Sequence, residues 1–106
     1  MRIVGFYEFC NMPDGIVYSY WTPCITTGLF RRGHVFHDGD RPFDFYEASL
    51  KAESWNLKAP KVDLCECRWG LSNFDAQFLV YDKEDLAVIV EALLAAPKLE
   101  DSTQSF

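Results

Sequence analysis

The sequence predicts an α+β domain in which a mainly antiparallel sheet packs against two helices in two layers. Short runs of β-branched and aromatic residues alternate with turn residues, which favours a sheet. Two segments, about 42–55 and 83–96, instead carry a helical hydrophobic period. The 106 residues suffice for one modest core. The predicted order is ββ(ββ)αββα, with residues 1–97 as a single globular domain and residues 98–106 as a polar tail.

The first two strands are predicted over residues 3–10 and 16–22, paired as a β-hairpin. Both runs are rich in Ile, Val, Phe and Tyr, which suit a half-buried pleated surface. The Pro-Asp-Gly sequence at 13–15 supplies turn chemistry between them. Pro23 is expected to end the second strand or to place it at an edge of the sheet, because proline has no N–H to donate to a strand ladder.

The middle of the chain is predicted to add one or two strands, over residues 25–30 and 34–36, around a turn at 31–33. A loop and a helix start follow. Asp40 can accept hydrogen bonds from the first backbone N–H groups of a helix, and Pro42 suits a first helical turn. The sequence therefore predicts that a helix begins near residue 42.

The second half of the chain is predicted to form two strands, over residues 62–69 and 74–80, and a last helix. Asp82 and Asp85 stand three apart before an apolar run, which is typical of a capped helix N-terminus. Pro97 is expected to end this helix. The helical wheel predicts that one stripe of side chains packs into the core: Leu86, Ile89, Val90 and Leu93.

Four cysteines and two histidines are present, but no pattern among them defines a catalytic or metal site. The strongest zinc hypothesis combines His34, His37, Cys65 and Cys67. A Cys-x-Cys pair is a poor match to zinc-ligand spacing, and no Walker, GxGxxG, GxSxG or HExxH motif occurs. We expect no catalytic residues, no metal and no cofactor. Since the N-terminal run does not resemble an export signal, we also expect free thiols in a cytoplasmic protein.

Charge is the feature that bears most on function, since sixteen acidic residues against ten Lys and Arg give a net charge of −6. This balance argues against nucleic-acid binding and against docking on anionic membranes. Residues 38–53 hold five acids against two basic residues, and residues 82–106 hold six against two. Helical wheels place carboxylates of both segments away from the apolar faces. The predicted partner-binding residues are Glu84, Val88, Glu91, Asp44 and Glu47, with Tyr20 and Trp55 as aromatic anchors.

These features favour a small acidic binding protein that neutralises a basic partner protein. An immunity protein (antitoxin) against a bacterial nuclease-type toxin fits this profile best, and a phage-encoded inhibitor of a host nucleic-acid enzyme shares it. The sequence is also compatible with a homo-oligomer. The alternative is a small-ligand-binding or enzymatic domain. Its pocket, between sheet and helices, would be lined by Tyr18, Tyr20, His34, His37 and Trp69.

Overall fold

A computed structural model describes residues 1–50, 64 and 66–99 of the chain. The described residues form a mostly antiparallel sheet with two helices, which confirms the α+β class. Their order, βαβββββα, differs from the predicted one. The elements are β1 (Arg2–Gly5), α1 (Phe6–Cys10), β2 (Val17–Thr22), β3 (Ile25–Asp38), β4 (Arg41–Ser49), β5 (Glu66–Arg68), β6 (Gln77–Tyr81) and α2 (Lys83–Leu94).

The six strands lie in the order β1-β6-β2-β3-β4-β5, and every neighbouring pair is antiparallel. The predicted hairpin between residues 3–10 and 16–22 is wrong, because β6 lies between β1 and β2. Residues 6–10 form α1 rather than a strand. Phe6, Phe9 and Cys10 stand three and four residues apart, a helical spacing, and this turn of helix buries all three.

Residues 25–38 form one continuous strand, β3, of the one or two that the sequence predicts for this region. The turn expected at 31–33 is instead an irregularity, at which the register of β3 against β4 shifts between Arg32 and Val35. An irregularity of this kind bends a strand without ending it. The pairing of β3 therefore runs on to Asp38, opposite Arg41.

The predicted helix at 42–55 is wrong over residues 42–49, which belong to β4, and residues 51–55 lie outside the described part of the chain. Asp40 caps no helix; it lies in a two-residue hairpin loop with Gly39, whose φ of 61° suits the first central position of a type II′ turn. Pro42 is a strand residue opposite His37. A short aromatic run fits a helical and a strand period alike, and here pairing with β3 decides in favour of the strand.

The second half follows the predictions more closely. Of the strand predicted from residue 74 to 80, residues 77–80 lie in β6 (Gln77–Tyr81) and residues 74–76 do not, and β5 occupies the last part of the strand predicted at 62–69. The capping box of α2 is confirmed. Asp82 accepts a hydrogen bond from the Asp85 N–H at 2.9 Å, and Asp85 accepts one from the Asp82 N–H at 3.1 Å. Of the predicted tail, residues 98 and 99 are described and exposed.

The core lies on the face of the sheet that α1 covers, and it is mostly aromatic. Phe9 stacks on Phe78 with ring centroids 4.1 Å apart, and Phe45 stacks on Trp69 at 4.9 Å. Rings of this size bury large apolar areas, so a few of them suffice for a small domain. The cluster consists of Val4, Phe6, Phe9, Cys10, Tyr18, Val35, Phe45, Trp69, Phe78 and Val80.

The turn between β2 and β3 has Pro23 and Cys24 at its two central positions, as in a type II turn. Cys24 has a φ of 68°, in the left-handed region that costs a residue with a Cβ about 1–2 kcal/mol. We expect Cys24→Gly to raise the free energy of unfolding by about 0.5–1 kcal/mol, measured by urea unfolding in reductant. Cys24→Ala keeps the strain and is the control. An equal gain in both variants would contradict the backbone explanation.

Candidate functional site

Helix α2 starts one residue after β6, and none of its twelve residues, all of them described, is buried. The predicted core stripe is therefore wrong. Val90 is 50% exposed and Leu93 is 66% exposed, while Leu86 and Ile89 are half-buried. These four side chains form one wall of an open apolar groove of about 400 Å³. The groove is completed by Val17, Leu29, Leu50 and Leu64.

The outward row of α2 is fully accessible. Glu84, Val88 and Glu91 are exposed, and Val88 retains 69% of its accessible surface. Acidic residues in the first turn complement the positive end of the helix dipole, which helps this weakly packed helix to persist. Three of the predicted partner-binding residues, Glu84, Val88 and Glu91, therefore lie on one accessible surface of α2. That they bind a partner stays a prediction.

Asp44 does not lie on an exposed helix face, as predicted, but is buried in β4 with 6% exposure. One carboxylate oxygen accepts hydrogen bonds from the N–H groups of Phe45 and Gly70, at 2.8 and 2.9 Å. The other accepts two from the Arg68 guanidinium, both at 2.7 Å. Burial opposes ionisation, but these donors together lower the pKa of Asp44. This carboxylate holds β5 and the following loop to β4.

Glu47 is likewise misplaced by the helical prediction. Its Oε2 accepts hydrogen bonds from the hydroxyl groups of both Tyr18 and Tyr20. Burial first, and then the bonds to Glu47, raise the pKa of both tyrosines well above the ordinary value. Tyr20 is half-buried and committed to this cluster. Trp55, the other predicted anchor, lies outside the described residues.

The pocket hypothesis is met in part. Tyr20 and Trp69 line one pocket at an end of the sheet, whereas Tyr18 is fully buried in the core. His34 and His37 are exposed on β3, away from that pocket. The sequence prediction missed that Trp69 is enclosed in the core and that its indole N–H has no acceptor among the described residues, a property that arises only from tertiary packing.

Cysteine chemistry gains no support from the geometry. Cys10, Cys24 and Cys67 are free thiols. Burial raises the pKa of Cys10 to about 11, so this thiol stays protonated at neutral pH and is a poor nucleophile. Within residues 1–50, 64 and 66–99, no group of three His, Cys, Asp or Glu side chains is arranged to hold a metal ion.

These features define the class of protein: a small, acidic α+β domain with an aromatic core and one exposed amphipathic helix. No helix in the described part of the chain is long and apolar enough to span a membrane. Comparison with protein-family models, with curated proteins and with solved structures finds no match to this chain.

Proposed function

We propose that this protein binds and neutralises a basic partner protein, as an immunity protein does with a nuclease-type toxin domain. The exposure of α2 carries the proposal. Three of its large apolar side chains, Val88, Leu93 and Leu94, are 69%, 66% and 82% exposed. Val88 lies on the outward row and Leu93 on the groove side, so α2 exposes large apolar side chains on two sides, and such exposure supports an interaction surface.

The charge of this surface selects the kind of partner. The carboxylates of Glu84 and Glu91 accompany these apolar residues, and Lys83 is the one basic residue between Asp82 and Leu94. Asp82 and Asp85 are paired with the N-terminal ammonium, at 3.0 and 2.6 Å. A nuclease active site is positively charged because it binds phosphates. Complementary potential of this kind accelerates association and disfavours acidic partners. The apolar side chains then supply contact area that leaves water when the complex forms.

Charge reversal on α2 tests the electrostatic half of the proposal. We expect Glu84→Lys/Glu91→Lys to lower kon for the partner about tenfold at low salt and to flatten the salt dependence of kon. The partner is first captured from an extract of the native host with the wild-type chain. Its kon for each variant is then measured by stopped-flow mixing at several salt concentrations. The matched control is Glu8→Lys/Asp40→Lys, which changes the net charge equally at exposed sites outside α2.

Comparing the two double variants shows whether the charges on α2 or only the net charge of the protein controls kon. An equal effect of both would mean that net charge alone matters, and the assignment of α2 would be wrong. A captured partner that is neutral or acidic would contradict the proposal as a whole. Val88→Ser should act differently from the charge reversals, raising koff with little change in kon, because it removes apolar contact area and no charge.

A further inference from the structure

The floor of the groove beneath α2 lies on the face of the sheet opposite the aromatic core. Tyr18 is fully buried in the core, so the preceding strand residue, Val17, points to the other face, where it lines the groove. Leu29 and Leu50 extend this floor across the next two strands, since the Leu50 N–H donates to the Leu29 carbonyl at 2.9 Å. The described lining is entirely aliphatic, with no aromatic ring and no polar side chain.

The dimensions of the groove suit a slender apolar ligand. Its α2 wall runs from Leu86 to Leu93, which is about 10 Å along a helix axis. An extended alkyl chain covers this length with about eight to ten carbon atoms. The volume of about 400 Å³ lies in the lower part of the range of small-molecule sites. A flat or polar ring system would find no ring to stack on and no side-chain hydrogen bond among the described lining residues.

Two cationic side chains lie at the end of the groove where α2 begins. Arg31 pairs with Val17 of the floor, and residues paired across strands carry their side chains on the same face. Tyr81 pairs with Val17 from the other side and ends β6, two residues before Lys83. Lys83 in turn stands three residues before Leu86, a spacing that places both side chains on one side of the helix.

These two cations are available to an anion. Arg31 and Lys83 are exposed, and neither side chain forms an ion pair or a hydrogen bond with any residue that the structure describes. The Arg31 guanidinium lies beside Gly15, in the turn that leads into Val17. The nearest acidic residues of α2, Asp82 and Asp85, are paired with the N-terminal ammonium. An aliphatic groove that ends at two unpaired cations matches an anionic amphiphile.

We propose that this groove binds a medium-chain fatty acid. The alkyl chain lies along the aliphatic floor, and the carboxylate accepts hydrogen bonds from Arg31 and Lys83. A single negative charge suits this site, because the chain as a whole carries −6 and disfavours ligands with several negative charges. A ligand bound beneath α2 leaves Glu84, Val88 and Glu91 accessible, so this activity is independent of the proposed function of α2.

Isothermal titration of the full chain with octanoate, decanoate and decyltrimethylammonium, each below its critical micelle concentration, tests the proposal. Decanoate should bind about tenfold more tightly than octanoate, since each buried methylene raises affinity about fourfold. Decyltrimethylammonium, which has the same alkyl chain and a cationic head, should bind at least about tenfold more weakly than decanoate. The absence of decanoate binding, equal affinity for octanoate and decanoate, or tighter binding of the cationic amphiphile would overturn the proposal.

A pair of matched variants on α2 locates the alkyl chain. Val90 lines the groove and is 50% exposed, so Val90→Asp places a charge in the apolar wall without opening the core. It should lower the affinity for decanoate at least about tenfold. Val88→Asp makes the same substitution on the outward row of the same helix and should change that affinity less than about twofold. Equal effects of the two variants would contradict binding in the groove.

A second pair of variants tests the carboxylate contacts. Arg31→Gln/Lys83→Gln should lower the affinity for decanoate about tenfold, since each exposed ion pair contributes up to about fivefold, and should leave the affinity for decan-1-ol unchanged. Arg2→Gln/Arg41→Gln removes the same charge at exposed positions outside the groove and is the control. An equal loss in both double variants would overturn the assigned contacts. A dimer of the free protein that Val90→Asp dissociates would assign the groove to a second copy instead.

Discussion

Replacing Arg32 with methionine should lower the free energy of unfolding by about 3 kcal/mol. The Arg32 side chain is completely buried, and its guanidinium donates to the carbonyl groups of Phe9, Met12 and Gly33 and to the Asp14 carboxylate. Methionine has no donors, so the carbonyl groups of Phe9, Met12 and Gly33 lose their charged donor. The Phe9 carbonyl keeps only the hydrogen bond from the Met12 N–H, at 3.2 Å. Urea unfolding followed by far-UV circular dichroism measures the loss.

Two neighbouring substitutions separate the carbonyl contacts of Arg32 from its ion pair. Asp14→Asn removes a carboxylate that is 66% exposed, and should cost less than about 1 kcal/mol. Arg31→Met removes the adjacent, exposed arginine and should cost a similarly small amount. If Asp14→Asn destabilised the protein as much as Arg32→Met, the ion pair would be the main contribution and the carbonyl contacts would not.

Arg32 also shows why the middle of the chain was mispredicted. Two consecutive arginines before Gly33 are typical of a surface turn, since arginine is seldom buried without partners. Here the partners are carbonyl groups of α1 and the loop after it, more than twenty residues earlier for Phe9. No local pattern encodes such a contact. The continuity of β3 through residues 31–33 was therefore not predictable from the neighbouring sequence.

Local signals were reliable where the structure is itself locally determined. The capping box of Asp82 and Asp85, and the two-residue periodicity within β6, need no distant contacts, and the helix and strand they predict are both observed. The segment 42–49 has no such signal. Its strand conformation depends on pairing with β3 on one side and β5 on the other, and both are tertiary features.

The features of the candidate sites also fall into those that a local pattern predicts and those that depend on tertiary packing. The accessible positions of Glu84, Val88 and Glu91 follow from a helical wheel once α2 is recognised, whereas the wheel wrongly placed Val90 and Leu93 in the core. Amphipathicity identifies an apolar face, but it does not reveal whether that face meets the domain or remains open. The unsatisfied Trp69 Nε1 depends on which groups surround the ring, and so it emerges only from the folded structure.

The largest effect of a single added methyl group is expected at Gly28, where alanine should lower the free energy of unfolding by about 3 kcal/mol. Gly28 has a φ of 74° and lies where the register of β2 against β3 shifts, between the pairs of Tyr18 and Tyr20. A Cβ there would lie 2.3 Å from the ring of Phe30. That ring stacks on Tyr18, with centroids 5.5 Å apart, and so cannot move without disturbing the core.

Three glycine variants resolve this loss into backbone strain and steric overlap, measured as unfolding free energies in urea. Gly39→Ala meets nothing within 4 Å but has a φ of 61°, so it should lose about 1 kcal/mol from strain alone. Gly5→Ala meets nothing and needs no positive φ, so its change should lie within about 0.5 kcal/mol. The excess at Gly28 over Gly39 is then the cost of displacing Phe30.

Adding Phe30→Leu to Gly28→Ala should recover part of that excess, because the shorter side chain leaves room for the new methyl group. Equal losses at Gly28 and Gly39 would instead mean that Phe30 moves aside freely, and that the packing of its ring against Tyr18 contributes little to stability.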